Sequence, residues 1–155
     1  MWQPMKRSSA VHHLESTVTS FIPKDDNVEI MYITIRNMSN DIQQLTAYGA
    51  VPIYGRSADN IRDHRNVTSM LHRIRTDKNG VLVCPTMSFD EKGHRSNEKI
   101  YFVSGFTGIG SAPECFYPTV EDFIGEGGTY THPRAVYEHF SGSPAFSTAE
   151  GKEAM

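Results

Sequence analysis

Four arginines, two histidines and two aspartates fall within the twenty residues "GRSADNIRDHRNVTSMLHRI" at positions 55–74. The flanking text reads as β-strand. Ionisable groups this dense have three uses: a metal site, a catalytic or binding site, or a polar rim where one domain meets another. A metal needs ligands that converge. His64 and His72 on one continuous strand would share a face, yet they would lie about 26 Å apart at ~3.3 Å per residue. His12 and His13 are neighbours, and on a strand they point to opposite faces. His132 and His139 on one helix would sit two turns apart, about 10 Å. No H-x-x-x-H, C-x-x-C or H-E-x-x-H spacing occurs. The histidines are therefore expected at the surface and in turns, and no metal is expected.

Other chemistries fare no better. "GFTGIG" (105–110) is G-x-x-G-x-G, not a dinucleotide fingerprint, and the Pro-containing loop after it cannot open a helix. "GEGG" (125–128) lacks the Lys-Ser/Thr of a phosphate loop. Both read as turns. No G-x-S-x-G nucleophile elbow occurs. Cys84 lies in an apolar strand, where a thiol is inert packing. Cys115 sits beside Glu114, with no cationic neighbour to lower its pKa. The carboxylate pairs Asp25/Asp26, Asp59/Asp63 and Glu121/Asp122 suit turns, caps and ion pairs, since a glycosidase needs two carboxyls placed across a cleft. Arg56, Arg62 and Arg65 with Asp59, Asp63 and His64 form the makings of an ion-pair network. Such a network belongs at a loop rim or an interface, because buried ions need partners.

The elements that must position these groups are mostly strands. The chain has 155 residues, a formal net charge of −3 and 38% hydrophobic residues, the profile of one soluble domain. Its basic residues are scattered, so no stripe suits nucleic acid. The start, "MWQPMKRSSAVHH", lacks the apolar core of a signal peptide, and no apolar run approaches a membrane span. Cytoplasmic placement is expected, with Cys84 and Cys115 reduced. Strands are predicted over 11–22, 28–37, 42–54, 67–76, 81–89 and 99–108. The 28–37 strand is expected at a sheet centre because it is apolar on both faces. "DKNG" (77–80) is a hairpin signal. Thr119 is a candidate helix cap for 119–125. Pro133 suits the first position of a second short helix, and 141–155 reads as a small, polar tail. The class is all-β, an antiparallel sandwich with one or two short helices towards the C-terminus. One domain spans 1–155, with the main strands at 11–108 and loops and helices at 109–155.

Three blocks, "YGRSADNIRDHRNVTSMLHRI", "GVLVCPTMSFDEKGHRSNE" and "PTVEDFIGEGGTYTHPRAV", resemble the N-terminal sandwich domain of glycoside hydrolase family 94. That family holds the inverting cellobiose, cellodextrin and 1,2-β-oligoglucan phosphorylases. The resemblance runs from roughly His12 to the last residue and implies a β-supersandwich of mutarotase type. It also implies a catalytic (α/α)6 barrel beyond this chain, which carries the catalytic aspartate. The chain is then expected to be an incomplete, non-catalytic segment of a larger enzyme. The parent chemistry is phosphorolysis: an aspartic acid protonates the glycosidic oxygen while phosphate attacks the anomeric carbon with inversion. Inorganic phosphate is a co-substrate and no cofactor is implied. The implied partners are the barrel, a second subunit in a homodimer and a β-glucan oligosaccharide. No catalytic residue carries over. The resemblance makes Arg56, Asp59, Asn60, Arg62, Asp63, His64, Arg65 and Glu126 candidates for interface or substrate-proximal contacts. The alternative is a stand-alone carbohydrate-binding or assembly sandwich. An incomplete sandwich would also leave strand edges open, which predicts self-association.

Overall fold

A computed structural model describes residues 5–54, 69–90, 93–139 and 141–155. The chain forms two compact units, 1–47 and 48–155. The first holds three antiparallel strands in spatial order: β1 (Met5–Val11), β2 (Leu14–Phe21) and β3 (Ile30–Asn37). β1 has no counterpart in the predicted strands. The predicted 11–22 strand starts only at Leu14, because His12 and His13 form the turn between β1 and β2. Their φ angles of 50° and 63° follow the type I′ pattern that matches strand twist. Val11 and Leu14 close that turn as a pair. The two histidines are thus turn residues, not strand neighbours on opposite faces. Across the sheet, the Ser8 and Thr17 hydroxyls meet at 3.1 Å.

β3 corrects a second expectation. Among the described strands it is an edge, hydrogen-bonded to β2 alone, and all eight of its residues are exposed. Apolar character on both faces signals a central strand only when something covers both faces, and pattern alone cannot tell the two cases apart. The predicted 42–54 strand is also absent. Only Ile53 makes a β-bridge there, to Ala154. Pro52 removes a ladder donor beside it.

The second unit is built on a four-stranded antiparallel sheet, ordered β8-β5-β4-β9. β4 spans His72–Thr76, β5 Gly80–Pro85, β8 Tyr101–Ser104 and β9 Thr148–Glu150. A separate hairpin, β6 (Met87–Asp90) and β7 (Gly93–Ser96), follows β5. The "DKNG" hairpin forms as expected. Asp77 Oδ1 accepts from the backbone of Asn79 at 2.6 Å and of Gly80 at 2.9 Å. One face of the sheet is buried: Ile74, Val81 and Val83 alternate inward with Tyr101, Val103 and Ala149, while Arg73 and Arg75 alternate outward. Ile53, Phe116 and Ala154 cover that face. On the outer side Arg73 pairs with Glu150 across β4 and β9 at 3.5 Å. Ser69 and Met70 are helical, so β4 does not run back towards His64 as one strand.

The polar tail reading fails for a tertiary reason. β9 adds to the sheet beside β4, and the last two residues, Ala154 and Met155, are buried at 2% and 6% exposure. Thr76 holds this segment: its hydroxyl donates to the Pro144 carbonyl at 2.9 Å and accepts from the Ser147 backbone at 2.9 Å. Small residues let the returning chain lie flat against the sheet, so low hydropathy there marks close packing, not a solvated end.

Candidate functional site

The second unit carries an open cleft of about 440 Å³, walled by Thr119–Glu121, Ile124–Gly127, Gly151–Glu153 and Ser69. Two chain segments build it. The first is α1 (Val120–Ile124), whose N-cap is Thr119 as the sequence predicts. The Thr119 hydroxyl accepts from the Asp122 backbone at 3.0 Å, and the Asp122 carboxylate accepts from the Thr119 backbone at 3.2 Å. This reciprocal capping box satisfies donors that so short a helix cannot satisfy itself. The second is the terminal segment: Val120 N–H donates to the Glu153 carbonyl at 2.9 Å, and Met155 N–H to the Pro118 carbonyl at 3.1 Å.

Val120 and Phe123 face inward from α1, against Ala135 and Met155. Tyr48, Tyr117 and Phe123 form an aromatic triangle with centroids 5.9 to 6.4 Å apart. The Tyr117 pKa is pushed up to about 12, first by burial and then by its contact with the Cys115 thiol. It therefore remains a neutral phenol and cannot act as a base near pH 7. Ala135 belongs to α2 (Arg134–Tyr137), which Pro133 precedes as N-cap instead of opening as first residue. α2 ends at Tyr137, and His139 has a φ of 51°, so His132 and His139 do not share a helix. His132 instead stacks on the Tyr137 ring at 4.0 Å.

Polar side chains rim the cleft. Lys152 Nζ donates to Glu121 Oε2 at 2.7 Å, and that carboxylate raises the Lys152 pKa. Glu126 stands on the loop after α1. That loop folds back tightly: Gly128 N–H donates to the Gly125 carbonyl at 3.2 Å, and a Cβ on Gly128 would lie 1.9 Å from the Ile124 carbonyl oxygen. Only glycine fits there. Carboxylates, hydroxyls and one ammonium around an open cleft suit hydrogen bonding to a polyhydroxylated ligand or to a polar protein face. Among the described residues no group of three or more His, Cys, Asp or Glu side chains converges as metal ligands would.

Of the sequence-derived candidates, Glu126 is placed at this cleft. Arg56, Asp59, Asn60, Arg62, Asp63, His64 and Arg65 lie outside the described residues. Ser69, the first described residue after them, lines the cleft. Sequence reasoning missed Lys152, Glu121 and Glu153 as neighbours. Glu121 and Lys152 are 31 residues apart and carry no shared motif.

His72 lies behind the cleft wall at 2% exposure. Its Nδ1–H donates to the Lys152 carbonyl at 3.2 Å, while Nε2 has no hydrogen-bond partner among the described residues. Burial lowers its pKa below 6.5, outweighing the Lys152 carbonyl and the Glu153 charge, which both raise it. The unfolded chain thus binds this proton more readily than the native one. The stability this histidine carries is present above about pH 6.5 and is lost as pH falls, at no more than about 1.4 kcal/mol per pH unit. Urea midpoints of His72→Gln between pH 7 and pH 5 should show a shallower loss than the parent. Equal slopes in the two proteins would remove His72 from this role.

These sheets and short helices define a mostly β, antiparallel protein, with an open cleft beside the short helices of the 48–155 unit. The chain belongs to the glycosyl hydrolase 94 family, in its supersandwich domain, whose family model matches residues 6–149. No curated protein matches the chain. No helix among the described residues is long and apolar enough to cross a membrane.

Proposed function

We propose that this chain is the non-catalytic N-terminal sandwich segment of an inverting β-glucoside phosphorylase, and that its cleft at 119–127 and 151–153 docks the catalytic (α/α)6 barrel near the substrate entrance. The observation that carries the reading is the family match over 6–149. The cleft chemistry supports it: Glu121, Glu126, Lys152 and Glu153 stand around a largely apolar lining, and its ion pair is solvent-accessible, with Lys152 53% and Glu121 58% exposed. In the parent reaction an aspartic acid of the barrel protonates the glycosidic oxygen, and phosphate attacks the anomeric carbon from the opposite face. Phosphate replaces the water of an inverting hydrolase, so the products are glucose 1-phosphate and a shortened glucan. The sandwich contributes a fixed wall that holds sugar and barrel in register, the positioning share of catalysis.

The test is co-elution of this chain with a separately expressed barrel of the same family, with glucose 1-phosphate release from β-glucan and inorganic phosphate as the second readout. The chain alone should release none, and the mixture should elute as a complex. Turnover by the chain alone, or no complex at tens of micromolar, would overturn the reading. Heat on titrating millimolar cello-oligosaccharide into the isolated chain would favour the carbohydrate-binding alternative. Glu126→Arg reverses a charge on the cleft rim. It should leave melting within about 0.5 kcal/mol, as for surface substitutions, yet weaken co-elution about tenfold. Unchanged co-elution would place the barrel on another face.

A further inference from the structure

His72 sits at the joint between the four-stranded sheet and residues 151–155. β9 pairs with β4 as far as Glu150 opposite Arg73. Gly151 then takes a φ of 65° and the ladder ends. Two bonds from His72 carry the joint further: its carbonyl accepts from the Gly151 backbone at 3.0 Å, and its ring Nδ1–H donates to the Lys152 carbonyl at 3.2 Å. A carbonyl only accepts, so that bond puts the neutral ring's proton on Nδ1 and leaves Nε2 bare. Nε2 is buried with no hydrogen-bond partner among the described residues. Residues 151–153 of the segment held in this way form one wall of the cleft. The other side of the segment meets α1: the Glu153 carbonyl accepts from Val120 at 2.9 Å, and Met155 N–H donates to the Pro118 carbonyl at 3.1 Å.

We propose that His72 is a proton-operated latch: uptake of a proton at Nε2 frees the 151–155 segment from β4 and opens the cleft wall. In the closed form the new N–H is buried without an acceptor, and the charge is buried with it, which costs more than the same imidazolium in water. Parting the segment from β4 brings water to the ring. The charged groups around His72 do not offset that cost. Glu153 favours the imidazolium, but burial outweighs it. Lys152 turns its ammonium to Glu121. Arg73 bonds the His72 carbonyl at 3.1 Å and stands beside Glu150. β5 sets Pro85 opposite His72, and its one titratable group, the Cys84 thiol, stands opposite Arg73. The sign follows. The closed form binds the proton less readily, so it is favoured above about pH 6.5. Below that, the opening constant rises by at most about tenfold per pH unit. Opening needs no barrel and no ligand, so it is read on this chain by itself.

The test is native-state hydrogen exchange on the whole chain. The amides of Val120, Gly151 and Met155 should open at lower free energy than those of 81–83, and without the urea dependence of global unfolding. After correction for intrinsic exchange, their opening constant should rise several-fold, and at most about tenfold, from pH 6.5 to pH 5.5. His72→Asn, whose side-chain amide can take the place of Nδ1–H and does not titrate, should keep the protection and lose its pH dependence. If that variant folds poorly, the His72 ring resonances of the parent decide. They should titrate below pH 6.5, together with the rise in exchange at Gly151. Opening of these three amides by global unfolding alone, an opening constant indifferent to pH, a pH response retained in a well-folded His72→Asn, or a ring that titrates at or above pH 6.5 would overturn the proposal.

Discussion

Phe123→Ala should lower the unfolding free energy of the 48–155 unit by about 3–5 kcal/mol, the usual cost of removing a buried phenyl group. Phe123 is 5% exposed and packs edge-on against Tyr117 with centroids at 5.9 Å. α1 has five residues, too few to persist alone in water. It is held by its capping box, by buried Val120 with its backbone bond to Glu153, and by this aromatic anchor, the largest of its buried side chains. Removing the ring should therefore release amide protection over 120–128 in hydrogen exchange and dissolve the cleft wall that carries Glu121. Phe123→Leu, which keeps most of the volume, should cost less than about half as much. Urea midpoints and exchange rates at 120–128 that match the parent would show that α1 is held by something else.

Gly80→Ala is the second large effect. A Cβ there would lie 2.0 Å from the Val103 carbonyl oxygen and 2.9 Å from the Ser104 Cα. The obstruction is backbone, which cannot swing aside as a side chain can. The methyl group must push β8 off β5, where Gly80 pairs with Ser104 and Val81 with Val103. That pairing brings Tyr101 and Val103 onto the core. The expected cost is about 3 kcal/mol, the upper end for overpacking, with exchange rising at 101–104 before 72–76. The Asn-Gly signal marks this glycine as a turn residue, and it does close the 77–80 hairpin. Its need to be glycine comes from the neighbouring strand. A variant that melts with the parent would show that β8 can shift without loss.

The hairpin and the Thr119 cap were legible because each is local: a side chain meets backbone two or three residues away, and that geometry follows from residue type. The all-β antiparallel class was legible from strand composition and short polar turns, and the family from three ordered blocks. Nonlocal matters were not legible. His12 and His13 look like strand residues until β1 is known to pair back on β2 and demand positive φ at both. An apolar strand reads alike at a sheet centre or edge, since sequence records a side chain's character and not what covers it. The terminal segment reads as a polar tail until β4 is seen to recruit it. Glu121 and Lys152 meet only because Val120 and Met155 exchange backbone hydrogen bonds with residues far along the chain.

The opening cluster shows the same division. Residue spacing argued against a metal site, the lack of partner residues argued against a nucleophile, and a polar rim was the reading left. Of the candidates drawn from the family likeness, the structure places Glu126 on a cleft, in company no motif announced. Sequence by itself determined what each segment can form, because propensity and turn chemistry act over a few residues. Tertiary structure alone decided which segments meet, because burial of Ile74, Val83 and Phe123 rewards contacts across the whole chain and overrides local preference where the two compete.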